Sequence, residues 1–181
     1  MNIAHIIPTY NEKDNIAQMI DIIFQIAKKY PRWKTNIIVV DDHSPDGTSD
    51  IVRNLKKKYS NLFLLLKKKE GLGRALILGY QYAIKNLKSD VVIPNDADFQ
   101  WNPNDYPKLL EKVEQGFDVV VASRHVSGGR VVGWNWFRKL NHDVSNSLLA
   151  WLVAGVHEVK DHAGNFKAIR VKNYLERVNL A

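Results

Sequence analysis

Residues 93–100 read IPNDADFQ. Asp96, Asp98 and Gln100 fall at alternate positions after the apolar residues Val91, Val92 and Ile93. In an extended chain side chains alternate with a period of two, so three oxygen-bearing groups so spaced face one side. Two carboxylates and an amide oxygen suit Mg2+ or Mn2+, hard cations that also bind substrate phosphates. Asp-rich loops also make turns and cap helices, here the one after Pro103. The buried-strand context favours the metal reading.

Other polar clusters follow apolar runs in the same way. Pro8, Thr9, Tyr10, Asn11 and Glu12 follow residues 3–7, and Asp41 to Thr48 reads DDHSPDGT after residues 37–40. Tyr10 suits the face of a nucleobase, Glu12 ribose hydroxyls, and Asp42 the ring N–H groups of a base. Ser44, Pro45, Asp46, Gly47 and Thr48 suit a turn and a helix start, and Asn11 or Asp14 a helix cap. Gly71 and Gly73 lack the third glycine of a dinucleotide fingerprint, since Leu76 takes its place, which argues against a nicotinamide cofactor. Arg124 and Arg138 have the fork that matches phosphate oxygens. His157 and His162 are spaced i, i+5, which does not share a helix face, so zinc is not expected; His5 sits in an apolar run as a core histidine.

The elements that must position these residues are legible as apolar runs. Residues 3–7, 37–40, 62–66, 91–93 and 119–121 are strands without polar alternation, as a sheet covered on both faces requires. Helical spacing fills the gaps, as in Ile16, Met19, Ile20, Ile23 and Ala27, and in Leu72, Ala75, Leu76, Gly79, Tyr80, Ala83, Ile84 and Leu87. Shorter patterns cover 51–59 and 107–115. The alternation predicts an α/β fold with an open, doubly wound, mostly parallel sheet, whose ligands bind beyond the carboxyl ends of the strands.

The 181 residues suffice for one well-buried core, and a single domain is expected. The chain has no cysteine, which excludes disulfides, thiolate metal sites and cysteine nucleophiles. No leader-like amino terminus or bilayer-spanning run is expected, since the apolar stretch at 148–156 is about half the roughly 20 residues needed. With 26 Lys and Arg against 19 Asp and Glu the net charge is +7, partly in the runs Lys56, Lys57, Lys58 and Lys67, Lys68, Lys69. Such runs are usually solvated, and otherwise attract a polyanion, a nucleotide or an anionic membrane surface.

Taken together, IIPTYNE (6–12), VVDDHSPDGT (39–48), GLGRALILGY (71–80), NDADFQWNP (95–103), SRHVSGGRVVGWNWFRKL (123–140) and VKDHAGNFKAIR (159–170) resemble the family-2 glycosyltransferases, and within them the polyprenol-phosphate (dolichol-phosphate) mannose synthase group. The resemblance spans almost the whole chain, and the last three segments are its specific part. It implies a GT-A-like nucleotide-sugar-binding fold, with residues 1–122 as the donor half and 123–181 as the acceptor and membrane-facing half of one catalytic domain. It implies transfer of mannose from GDP-mannose to a polyprenyl phosphate with inversion, dependent on Mg2+ or Mn2+. Pro8, Tyr10, Glu12, Asp42 and Asp96 would hold the nucleotide, Asp96, Asp98 and Gln100 the metal, and Arg124, Arg138 and His142 the acceptor phosphate. Asp98, Arg124 and Arg138 would be the catalytic residues. Asn95 stands where a hydrophobic residue is common, and His142 where a small hydroxyl residue is common.

The implied partners are a nucleotide sugar, a lipid phosphate and a membrane surface, with no nucleic acid. The implied location is the cytoplasmic face of a membrane, bound peripherally. Trp134, Trp136, Phe137 and Trp151 with Arg138 and Lys139 have the composition of an interfacial segment or of a helix packed on the sheet. UDP-glucose as donor, and a non-catalytic nucleotide or polyanion binder, are the alternatives.

Overall fold

The computed structural model describes residues 1–123, 165–172 and 175–178. The chain divides into two compact units, Met1–Val120 with Phe166–Ala181, and Val121–Asn165. The first carries nearly all the described residues.

Its element order is β1 (Asn2–Thr9), α1 (Ile16–Lys29), β2 (Lys34–Asp41), α2 (Thr48–Leu55), β3 (Leu62–Leu66), α3 (Leu72–Lys85), β4 (Val91–Pro94), α4 (Tyr106–Glu114), β5 (Val119–Val121) and β6 (Lys167–Arg170). The strands form a sheet of order β3-β2-β1-β4-β6-β5. β1 is parallel to β2 and β4, and β2 to β3, whereas β6 is antiparallel to β4. The sheet is therefore mixed and mostly parallel, as expected, but β6 is an element that the apolar runs did not reveal. It has four residues and a charged residue at either end, so only Ala168 and Ile169 carry an apolar signal.

Both faces of the sheet are covered, which is why its strands are apolar throughout. On one face Ala4, Ile6, Ile38, Val40 and Val92 pack with Ala75 and Ala83 of α3. Gly79 lets α3 approach closely, because a Cβ there would fall inside the Ile6 side chain. Alternation sends the neighbouring residues to the opposite face, where the buried residues Ile16, Met19, Ile20 and Ile23 of α1 and Tyr106 of α4 lie.

His5 is on that second face and fully buried, with its ring edge-on to Tyr106 at 4.6 Å between centroids. Neither ring nitrogen has a hydrogen-bond partner. Burial lowers its pKa to about 3, so it is a neutral core residue, as its place in the strand implied.

Candidate active site

Parallel pairing brings the carboxyl ends of β1, β2, β3 and β4 to one rim. Thr9 is in register with Asp41, and Asp41 with Leu66. Ile6 is in register with Pro94, so the chain after β4 emerges beside Pro8 and Thr9. The expected residues Pro8, Tyr10, Glu12, Asp42, Asp96, Asp98 and Gln100 all follow, or end, strands on this rim. Arg124, Arg138, His142 and the aromatic segment with Trp134, Trp136, Phe137 and Trp151 lie outside the described residues, as do His157 and His162.

Two loops of the rim are fastened together by side chains of the DDHSPDGT segment. Fully buried Asp41 accepts from the Thr9 hydroxyl at 2.9 Å, the Ser44 hydroxyl at 2.6 Å and the Ser44 N–H at 2.9 Å. Ser44 Oγ in turn accepts from Asn11 N–H at 2.9 Å, Thr48 Oγ1 from Glu12 N–H at 3.0 Å, and Asp46 from Lys13 N–H at 3.1 Å. Three successive N–H groups in the loop ahead of α1 are thus satisfied from the neighbouring loop, while at the helix start itself Asn15 N–H and Ile16 N–H donate to Glu12 O at 3.1 and 2.9 Å. No side chain caps α1 itself, so the capping role expected of Asn11 or Asp14 is absent.

Asp46 also accepts from Thr48 N–H at 3.0 Å, which turns the chain into α2 behind Gly47 at φ 93°. Desolvation raises the Asp46 carboxyl, but the Thr48 hydroxyl, the Thr48 and Lys13 N–H groups and the Lys13 charge outweigh it and hold the group below its usual range. The segment is both turn and fastening, and a sequence pattern shows only the first.

Asp42 is nearly buried, and its backbone N–H donates to Thr9 O at 3.0 Å. Its carboxylate accepts from Lys67 Nζ at 3.0 Å, with 9% of the Asp42 side chain and 10% of the Lys67 side chain exposed. Lys67 follows β3 directly. Lys69 Nζ lies 3.5 Å from the centroid of the Tyr10 ring, and Tyr10 is 42% exposed. Lys67 is therefore built into the rim, against the expectation of a solvated run, whereas Lys68 and Lys69 are exposed as that expectation has it. The run at 56–58 is exposed, as expected, with Lys58 in a surface pair with Asp21 at 3.0 Å. Being cationic and first after a strand of the same rim is the signal that singles out Lys67.

Glu12 Oε2 accepts from Asn15 Nδ2 at 3.0 Å, which fixes one oxygen of the carboxylate. Gly71 at φ 93° opens α3, as a tight turn there requires. A Cβ on Gly71 or Gly73 would meet nothing within 4 Å, so neither glycine is demanded by a close neighbour.

The acidic segment departs from the extended geometry assumed for it. β4 stops at Pro94, the chain then bends, and Phe99 has φ 58°. Gln100 N–H donates to Asp98 Oδ1 at 3.0 Å, so a local turn, not strand alternation, sets the relation between Asp98 and Gln100. The cap of the helical turn at Pro103–Asp105 comes from Asn102, which accepts from Asn104 N–H at 3.1 Å, and not from an aspartate. Asp98 and Gln100 are exposed at the rim and Asp96 is half-buried. Among the described residues no three His, Cys, Asp or Glu side chains are grouped to hold a metal. Two carboxylates and an amide oxygen on one bend are nonetheless a hard donor set that fits a divalent cation completed by water or phosphate oxygens.

A separate cleft of about 660 Å3 opens at the opposite edge, at the amino ends of β1 and β4, lined by Met1, Lys88, Ser89, Asp90, Arg170 and Lys172 among others. Two of its charged groups are engaged, Asp90 by Asn2 N–H at 2.7 Å and Arg170 by Asp118 at 3.2 Å. Sheets of this kind bind ligands at the other rim. Among the described residues no helix is long and apolar enough to cross a membrane.

Comparison with known proteins agrees with this architecture. Residues 5–171 match the family described as glycosyl transferase family 2. The chain is 34% identical over 180 residues to a dolichol-phosphate mannosyltransferase of Pyrococcus furiosus, a match covering 99% of this chain and 49% of that protein. It is 30% identical over 179 residues to a polyprenol monophosphomannose synthase of Mycolicibacterium smegmatis, covering 97% of this chain and 64% of the relative. Among solved structures, the mannosyltransferase PcManGT from Pyrobaculum calidifontis, in complex with GDP-Man and Mn2+, superposes with a TM-score of 0.56 at 28% identity, over 67% of this chain and 35% of that one. With the match running through both the strand-end clusters and most of the remaining chain, this protein belongs to glycosyl transferase family 2.

Proposed function

We propose that the chain is a glycosyltransferase that moves mannose from GDP-mannose to a polyprenyl phosphate, with inversion at the sugar carbon and with Mg2+ or Mn2+ as cofactor. The observation that carries the reading is the rim on which Tyr10, Glu12, Asp42, Asp96 and Asp98 all follow parallel strands. The names of the two relatives and the ligands of PcManGT support the choice of mannose and of a lipid phosphate.

In this reading residues 1–122 receive the donor. The exposed Tyr10 ring lies against the base, Asp42 accepts from its ring N–H, Glu12 takes the ribose hydroxyls and Pro8 shapes the wall. Asp96, Asp98 and Gln100 hold the divalent cation, which when bound neutralises charge on the departing diphosphate. Residues 123–181 receive the acceptor, with Arg124, Arg138 and His142 on its phosphate, the two arginines holding donor and acceptor together against their repulsion. A phosphate monoester is already anionic near neutral pH and needs little general-base help, so the carboxylates serve as ligands rather than as a glycosidase acid and base pair. The lipid acceptor implies contact with the cytoplasmic face of a membrane, through the segment of Trp134, Trp136 and Phe137.

The covering of Lys67, whose ammonium is paired with Asp42, takes one lysine of the second run away from a non-catalytic polyanion binder working through lysine runs. The direct test incubates the chain with Mn2+, a short polyprenyl phosphate and radiolabelled GDP-mannose or UDP-glucose. Organic-phase label from GDP-mannose, with a changed anomeric configuration, is expected. Label only from UDP-glucose replaces the donor, and label from neither rejects the activity.

A further inference from the structure

We infer that Lys67, which has no assigned role, reads the nucleobase jointly with Asp42, and that the pair selects bases presenting an N–H beside a carbonyl oxygen. The inference rests on the nucleotide reading of the rim and adds to it a residue and a selection rule.

The Lys67 side chain is 10% exposed and that of Asp42 9% exposed. Lys67 Nζ donates to Asp42 Oδ1 at 3.0 Å and to its neighbour's carbonyl, Lys68 O, at 2.6 Å. Its third contact is weaker, with Glu70 Oε2 at 3.7 Å, and the Glu70 side chain is 59% exposed. An ammonium has three donors, so one N–H is held only by the longer contact to the exposed Glu70 carboxylate, which a ligand can displace. Asp42 commits one oxygen to Lys67 and has no other side-chain partner among the described residues.

The pair thus offers one acceptor and one donor side by side. Tyr10 joins it on the same rim, because Asp42 N–H bonds to Thr9 O and Lys69 of the Lys67 loop lies on the Tyr10 ring. A base seated by Tyr10 turns its edge toward the pair. Guanine and uracil present a ring N–H next to a carbonyl oxygen, which match Asp42 and Lys67 respectively. Adenine and cytosine present a ring nitrogen lone pair next to an amino group, which places acceptor against acceptor and donor against donor. A nearly buried polar site rejects a mismatched ligand strongly, because its own groups are left unpaired.

The test is equilibrium binding of GDP, UDP, ADP and CDP at fixed Mn2+ to the parent chain, to Lys67→Met and to the double variant Asp42→Asn with Lys67→Met. The double variant carries no unpaired charge and keeps the test alive if the single one unfolds. The parent should bind GDP and UDP at least about tenfold more tightly than ADP and CDP, and both variants should lose most of that ratio while retaining ADP binding. A lysine serving only the stability of the rim, or only the diphosphate charge, would weaken all four ligands alike and leave the ratio unchanged, which overturns the inference but not the nucleotide reading. A parent that binds none of the four overturns both.

Discussion

The Ser44 hydroxyl donates to Asp41 at 2.6 Å while its oxygen accepts the Asn11 N–H at 2.9 Å, so one small side chain couples the loop after β2 to the loop after β1. Ser44→Ala leaves an Asn11 N–H and a buried carboxylate oxygen short of a partner. A loss of about 1–2 kcal/mol in unfolding free energy is expected, together with weaker nucleotide binding because Tyr10 follows directly from the fastened loop. Denaturant unfolding and a GDP titration check both. Ser44→Thr, which keeps the hydroxyl, should restore most of each.

His5 predicts a pH dependence. Its folded-state pKa of about 3 lies below the ordinary value of 6.5. Between those values the unfolded chain binds the proton and the folded chain does not, so stability is fully present above 6.5 and declines as the pH falls toward 3. The decline amounts to about 1.4 kcal/mol per pH unit. His5→Leu should remove this contribution, so that parent and variant, compared between pH 7 and pH 5, diverge by about 2 kcal/mol in the variant's favour. Parallel curves would show that His5 takes up its proton inside the fold.

Gly79 makes a steric prediction. Alanine is the better helix former by about 1 kcal/mol, yet its Cβ would overlap Ile6. Overpacking of this kind costs about 1–3 kcal/mol, so Gly79→Ala should be destabilising on balance. Adding Ile6→Ala makes room for the new methyl, and the two changes should therefore be strongly non-additive. Additive losses in thermal unfolding would contradict the close approach of α3 to β1.

The fold was legible because burial on two faces leaves no alternative to continuous apolar strands, as in Ile37, Ile38, Val39 and Val40, all fully buried. β6 was not, because two apolar residues between Lys167 and Arg170 carry no period, and its pairing with β4 is set by contacts remote in sequence. The positions of the site were legible for a topological reason, since whatever follows a parallel strand arrives at the same rim. Its internal connections were not. Nothing in the order of residues says that Ser44 and Thr48 serve the N–H groups of Asn11 and Glu12, or that Lys67 is covered while Lys58 is exposed. Asp96, Asp98 and Gln100 show the limit most clearly, because the pattern assumed a strand geometry that the bend at Phe99 replaces.

The central claim is that this segment holds a divalent cation against the diphosphate of a nucleotide sugar, and calorimetric titration of GDP-mannose with and without Mn2+ tests it most directly. The parent chain should bind GDP-mannose at least about tenfold more tightly with Mn2+ present, a coupling of about 1.4 kcal/mol. Asp98→Ala, whose side chain is exposed and whose loss leaves the core intact, should bind with nearly the same affinity in both conditions. An equal Mn2+ effect in parent and variant, or none in the parent, would contradict the account.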